Sequence, residues 1–422
     1  MHLREFHCGG RRIRRTIIKA GLLIDGTDGQ PVPDPVIVVE NGLIKSITSR
    51  AAASGAATSE ANDQVIDAAQ KTVLPAFIDA HVHLAWGQDD QPEWSRVVED
   101  EGRILLWATR MAQNALVAGF VTVGDCGGPG MVTYHLRDAI EAGLIAGPRL
   151  RIAGPPLTTT AGHCWFFGLE ANNADELRHS VRRVVAQGSD FIKIMATGGS
   201  LSPRSNRRRA QYSVAELRAA VEDAHRLGKR VVVHANATEG IRNAVEAEVD
   251  VIAHCNWLGV DEGTLEYDES TAAAMLAAGI SVDLNIAAVF LPLAERDGWA
   301  QDWGTQTRWD IIRRMQTLGI RVYLSSDAIG LGDVRFVDQL VRMVEQNRAT
   351  ASEIISMITR LPSQAMGLGD ETGTVRPGMR ADLVLLDANP LEDIRALRSP
   401  DSVIRAGKTV VSQGKLLLPD IG

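Results

Sequence analysis

At 422 residues, with 45% apolar and 23% charged side chains, the chain is long enough for more than one packed core and too balanced for a disordered or fibrous protein. A net charge of −8 gives no global attraction for nucleic acid or for an anionic membrane. Cys8, Cys126, Cys164 and Cys255 show no CxxC spacing, so they read as reduced thiols rather than a disulfide framework.

The chain opens with a basic run, Arg4, Arg11, Arg12, Arg14 and Arg15, which reads as a solvated tail. Ile17 to Ile24 is too short to span a bilayer, and Lys19 interrupts it. The start has no apolar signal-peptide core, so a cytoplasmic location is expected. Residues 16–50 then give short β-rich runs, Thr16 to Lys19, Val36 to Glu40 and Leu43 to Thr48, with turns at Asp25-Gly26 and Asn41-Gly42. Ala51 to Ala61 is a small-residue loop.

From Leu74 the pattern changes to alternation. Apolar strand candidates end near His83, Gly127, Thr158, Gly199, Asn236, Trp257, Ile286 and Asp327. Helical stretches lie between most of them, such as Arg103 to Ala118, Ala174 to Gln187 and Val214 to Leu227. Such alternation predicts an α/β fold, a closed (β/α)8 TIM barrel, and Leu74 to Gly330 is close to the roughly 250 residues one barrel uses. Continuous runs such as Arg230-Val-Val-Val-His234 fit strands buried on both faces. The last segment returns to short β runs, Asp382 to Leu386, Val403 to Arg405 and Thr409 to Val411. The expected organisation is a barrel over 74–368, with 1–73 and 369–422 forming one small composite β domain.

Five places along the barrel carry chemistry. In His81-Val82-His83, residues i and i+2 of a strand face the same way, so both imidazoles can converge on one ion. Lys193 sits in the apolar strand Phe191-Ile-Lys-Ile-Met195, where an ammonium must find a partner or lose its charge. It is either an ion-paired lysine or an amine that has reacted with CO2 to give an anionic carbamate. His234, His254 and Asp327 end three further strands. Each alone fits a core residue, but all five places fall at the C-terminal ends of strands 1, 4, 5, 6 and 8, where barrel active sites form.

These residues make the chain resemble the amidohydrolase superfamily along nearly its whole length. Gly373-Thr-Val-Arg-Pro-Gly378 and Ala381-Asp-Leu-Val-Leu-Leu-Asp387 add to the likeness. Gln211-Tyr212-Ser213, Glu216-Leu-Arg218 and Ala224-His-Arg-Leu-Gly228 are similar to its Xaa-Pro/Xaa-Arg dipeptidase-like, imidazolonepropionase-related branch. The resemblance implies two divalent metal ions. His81, His83 and Asp327 would hold one, and His234 and His254 the other. N-carboxylated Lys193 and a hydroxide would bridge them. Zinc suits this nitrogen and oxygen set. Asp327 would take the hydroxide's proton and pass it to the leaving nitrogen.

His163, in Thr160-Ala-Gly-His163, would hydrogen-bond the scissile carbonyl; a role in holding the loop is the alternative. Cys164-Trp-Phe-Phe167 reads as an aromatic wall or as loop packing. In the loop carrying Arg204, Arg207, Arg208 and Arg209, one arginine, represented by Arg204, can clamp a substrate carboxylate with its planar fork, aided by Tyr212.

The expected activity is hydrolysis of an amide C–N bond in a dipeptide, an N-acyl amino acid or a related small amide. The alternative is a urea, carbamate or lactone at the same site. Single-metal relatives usually lack the strand-4 lysine, and the deaminases often have a glutamate where position 237 is alanine. A catalytically dead barrel is disfavoured because every ligand position is filled. The expected partner is a small molecule, with no nucleic acid and no membrane, and such relatives commonly form homo-oligomers.

Overall fold

The computed structural model describes residues 15–52, 63–86, 100–167, 169–202, 204–286, 306–327 and 332–419. Cys8 and the basic run before Arg15 lie outside them. So does most of the Ala51 to Ala61 loop. Nine strands form one mixed sheet. From the N-terminal side come β1 (Thr16–Leu23), β2 (Val32–Pro33), β3 (Pro35–Glu40), β4 (Leu43–Ser49) and β5 (Gln64–Pro75). β6 (Phe77–Val82) starts the barrel, followed by β7 (Phe120–Asp125), β8 (Arg149–Ile152), β9 (Ile192–Met195) and β10 (Val231–Ala237). β11 (Val251–Leu258), β12 (Ser281–Asn285) and β13 (Val322–Ser325) complete it. β14 (Leu383–Leu386), β15 (Ser402–Arg405), β16 (Lys408–Ser412) and β17 (Lys415–Leu416) return to the mixed sheet.

The two ends of the chain meet where β5 pairs antiparallel with β14, with Val73 opposite Leu385 and Pro75 opposite Leu383. The composite β domain is therefore one continuous hydrogen-bonded sheet. Its core is apolar, with Ile18, Ile37, Val73, Leu383 and Ile404 all buried. Asn41 and Gly42 both have positive φ, 51° and 78°, which gives the β3–β4 hairpin the turn that Asn-Gly favours.

In the barrel, β6–β7–β8 and β9 through β13 run parallel. Backbone bonds close the two seams. The Asp327 N–H donates to the His81 carbonyl at 2.9 Å, and Leu157 exchanges bonds with Lys193 and Met195 at 2.9 Å. Helices form where expected, and their caps show why they start there. Asn173 caps Ala174–Gln187, and Ser213 with Glu216 makes a reciprocal capping box ahead of Val214–Arg226.

β8 and β9 end earlier than the sequence suggests, at Ile152 and Met195 rather than near Thr158 and Gly199. Gly154 at φ 72° turns the chain, and Pro155 and Pro156 have no N–H for a ladder. After β9, Gly198 and Gly199 lie against other groups with no room for a Cβ. Among the described residues, no helix is long and apolar enough to cross a membrane. Among the described residues Cys126, Cys164 and Cys255 form no disulfide, as their spacing suggested.

Candidate metal centre

His81 and His83 leave β6 with their rings 5.3 Å apart. Each is oriented through its inner nitrogen. His81 Nδ1 donates to Asp283 Oδ2 at 2.8 Å, and His83 Nδ1 donates to the Gly127 carbonyl at 2.8 Å. Those bonds orient both rings and turn each Nε2 towards Asp327. Asp327 Oδ1 lies 3.3 Å from His81 Nε2 and 3.4 Å from His83 Nε2. Two ring nitrogens and a carboxylate oxygen thus converge on one point. A divalent ion resolves that arrangement, and the three residues form a group suited to one.

Lys193 is 1% exposed, and its Nζ lies 3.2 Å from His81 Nε2. The β9–β10 register puts Lys193 opposite Val232 and Met195 opposite His234, so Lys193 and His234 share a face. The His234 ring lies 4.3 Å from that of His254 and 4.4 Å from that of His163. The His254 N–H donates to Asn285 Oδ1 at 3.0 Å, and its carbonyl accepts from Arg308 at 3.2 Å.

The electrostatics follow from burial. Desolvation, and then neighbouring cationic groups, hold His234 and His254 well below the ordinary imidazole value, so both are neutral at pH 7 and available as ligands. Burial lowers His163 to about 3. Burial alone would raise the Asp327 carboxyl, but its close contacts with His81 and His83 outweigh it and hold it well below the ordinary carboxylate range.

Every expected ligand lines one pocket: His81, His83, Lys193, His234, His254 and Asp327, with His163 beside them. Gly199 is glycine because a Cβ there would come within 2.4 Å of the His163 ring. Of the Cys164 to Phe167 segment only Cys164 is in the pocket lining, and the aromatic residues pack behind it. Phe167 is buried and stacks on His83 with centroids 6.2 Å apart, and Phe166 and Phe167 pack edge-on against Trp86.

Two expected substrate contacts need correction. Tyr212 is buried, and its hydroxyl donates to the Ala171 carbonyl at 2.6 Å, so it braces a loop and does not line the pocket. Arg204 is exposed and also lies outside the pocket lining, whereas Arg207 is part of it. Arg208 is buried on the carbonyls of Gly259 and Thr264.

Sequence reasoning missed Asp283, which orients His81. It also missed Asn236, Asn256 and Asn285, which line the polar wall. Asp283 and Asn285 are two apart on β12, and that parity was the available signal.

A closed barrel with this donor set is the frame of a metal-dependent hydrolase. The chain belongs to the Amidohydrolase family, whose profile matches residues 72–410. It is 26% identical to ochratoxinase from Aspergillus niger, over 93% of this chain and 85% of that protein. Among solved structures it resembles a Xaa-Pro dipeptidase with bound methionine in the active site, at 29% identity and a TM-score of 0.81, covering 94% of this chain and 99% of that one. It also resembles a prolidase complexed with N-methylphosphonate-L-proline, at 26% identity and a TM-score of 0.83, covering 94% and 100%.

Proposed function

We propose that this hydrolase cleaves the C–N bond of a small amide, a dipeptide or an N-acyl amino acid, with two zinc ions at the barrel mouth. The observation that carries the proposal is the convergence of His81 Nε2, His83 Nε2 and Asp327 Oδ1 beside buried Lys193. His81, His83 and Asp327 would hold one ion, and His234 and His254 the other. Lys193 would be shared as a carbamate: its neutral amine attacks CO2, a C–N bond forms and one proton leaves. That converts a buried group that forms no ion pair among the described residues into an anionic oxygen donor. When bound, the ions supply a water acidified to near neutral pH and polarise the substrate carbonyl.

The protein's own groups do the rest. Asp327, held ionised, accepts the proton from the attacking water and returns it to the leaving nitrogen. Neutral His163 donates a hydrogen bond to the carbonyl oxygen. Trp86, Met195 and Leu201 form an apolar side of the pocket that limits water. Arg207 meets a carboxylate on the leaving side. The relatives' substrates named above support an amide bond.

Matched N-acyl amino acids and their amide-capped forms test this on one zinc-loaded preparation. Capping should lower kcat/KM by roughly 10- to 150-fold, the loss of one charge-assisted hydrogen bond worth about 1.5–3 kcal/mol. Equal values would remove the carboxylate contact. Turnover of ureas, carbamates or lactones ahead of every peptide-like amide would overturn the reading.

A further inference from the structure

At the opposite end of the barrel, an open cleft of about 690 Å³ lies between the start of β8 and the composite β sheet. Six cationic and three carboxylate side chains line it. Most are matched. Asp190 takes Arg151 at 3.1 Å and Arg137 at 3.4 Å, and Arg380 pairs with Glu371 at 2.9 Å. Arg149 pairs with buried Asp382 at 2.8 Å.

Two cations have no such match. Arg405 donates to the Gly147 carbonyl at 2.9 Å and makes no ion pair among the described residues. Asp382 is already engaged, one oxygen accepting the Ala406 N–H at 2.7 Å and the other holding Arg149, and it acts on Arg405 only at longer range. Lys408 is exposed and makes no ion pair among the described residues. Glu141, exposed on the cleft wall, forms no ion pair with either among the described residues and acts on Arg405 only at longer range.

These two cations are also set against each other. Arg405 and Lys408 are cross-strand partners at the tip of the β15–β16 hairpin. Like charges directly opposite on a sheet destabilise it. The turn between them is itself strained, with Ala406 at φ 47°, a conformation that disfavours a side chain. A protein of net charge −8 thus keeps two cations without a directly paired carboxylate among the described residues side by side in a concave seam, with Arg149 next to them.

We infer that this seam is an anion site, distinct from the catalytic mouth, that takes a small multivalent anion between Arg405, Lys408 and Arg149. A guanidinium fork matches the paired oxygens of a phosphoryl or a carboxylate group, and the ammonium adds a point charge. An anion there would join the barrel to the β sheet and relieve the repulsion at the hairpin tip.

Titration calorimetry of the full-length, metal-loaded protein tests the inference at low ionic strength, with inorganic phosphate in one arm and tricarballylate in the other. The arm that binds more tightly identifies the class of anion. Saturable binding that weakens with added NaCl is expected, and Lys408→Gln should weaken it about tenfold. Lys408→Glu supplies the missing carboxylate from the chain itself. It should abolish binding and raise the melting temperature of the anion-free protein. Binding unchanged in Lys408→Gln would place the anion elsewhere, at the metals for example, and overturn the inference. No saturable binding of either anion would do the same, as would a lower anion-free melting temperature in Lys408→Glu.

Discussion

At the mouth of the barrel, His254, Cys255, Trp257 and Asp327 all sit at positive φ, between 46° and 68°. Two of these four residues are proposed ligands, and His254 and Trp257 lie within β11 itself. In the composite β sheet, non-glycine positive φ occurs at Asp34, Asn41, Ala406 and Gln413, which are turn positions between strands. Buried groups divide the same way. Imidazoles, carboxylates and carboxamides crowd the mouth, while the sheet's core is aliphatic. Each strained residue costs on the order of 1–3 kcal/mol, so the mouth is held open to chemistry by stability generated elsewhere. Substitutions in the two regions should therefore separate activity from stability.

The sharpest separation is expected at Asp327. Glycine adopts φ 51° without strain, so Asp327→Gly removes the proton carrier while relaxing the backbone. Activity should fall roughly 10²- to 10⁴-fold, and the metal-free variant should melt no lower than the metal-free parent. A marked drop in that melting temperature would break the contrast. The converse is Leu383→Ala in β14, a fully buried position opposite Pro75. Urea unfolding should show a loss of about 2–5 kcal/mol, with kcat per folded molecule unchanged.

A smaller effect tests how the mouth is organised. Asp283→Asn weakens the grip on His81 Nδ1 without removing a ligand. Metal affinity, read by competition with a chelator, should fall roughly 10- to 100-fold. An unchanged affinity would mean that His81 does not depend on this carboxylate for its orientation. The smallest effect is expected at Lys71, which reaches Asp387 at 2.6 Å and Asp401 at 3.0 Å across the edge of the sheet. Lys71→Gln should cost no more than about 1 kcal/mol, because Asp387 is exposed and all three groups are in reach of water. A larger loss in urea would show that the sheet depends on its ion pairs and not only on its apolar core.

The parts of this architecture that were legible share a local cause. His81 and His83 declare a common face by spacing alone, and Asn173 and Ser213 announce the helices that follow them. β5 was not anticipated, because Asp67, Gln70 and Lys71 break up its apolar pattern. The strand is held by β1 on one side and β14 on the other, a partner more than 300 residues away. Tyr212 and Arg204 failed as substrate contacts for a related reason. Where a loop side chain points depends on what packs beneath it, here Ala171, and no spacing rule encodes that. Asp283 alternates with Ser281 and Asn285 along β12, and only the closed barrel brings it to His81.

Metal content per chain bears most directly on this arrangement. Protein produced with added zinc and freed of loosely bound ions should carry two equivalents by elemental analysis, falling on Lys193→Ala. A reproducible single equivalent, unchanged by Lys193→Ala, would contradict the shared two-metal centre.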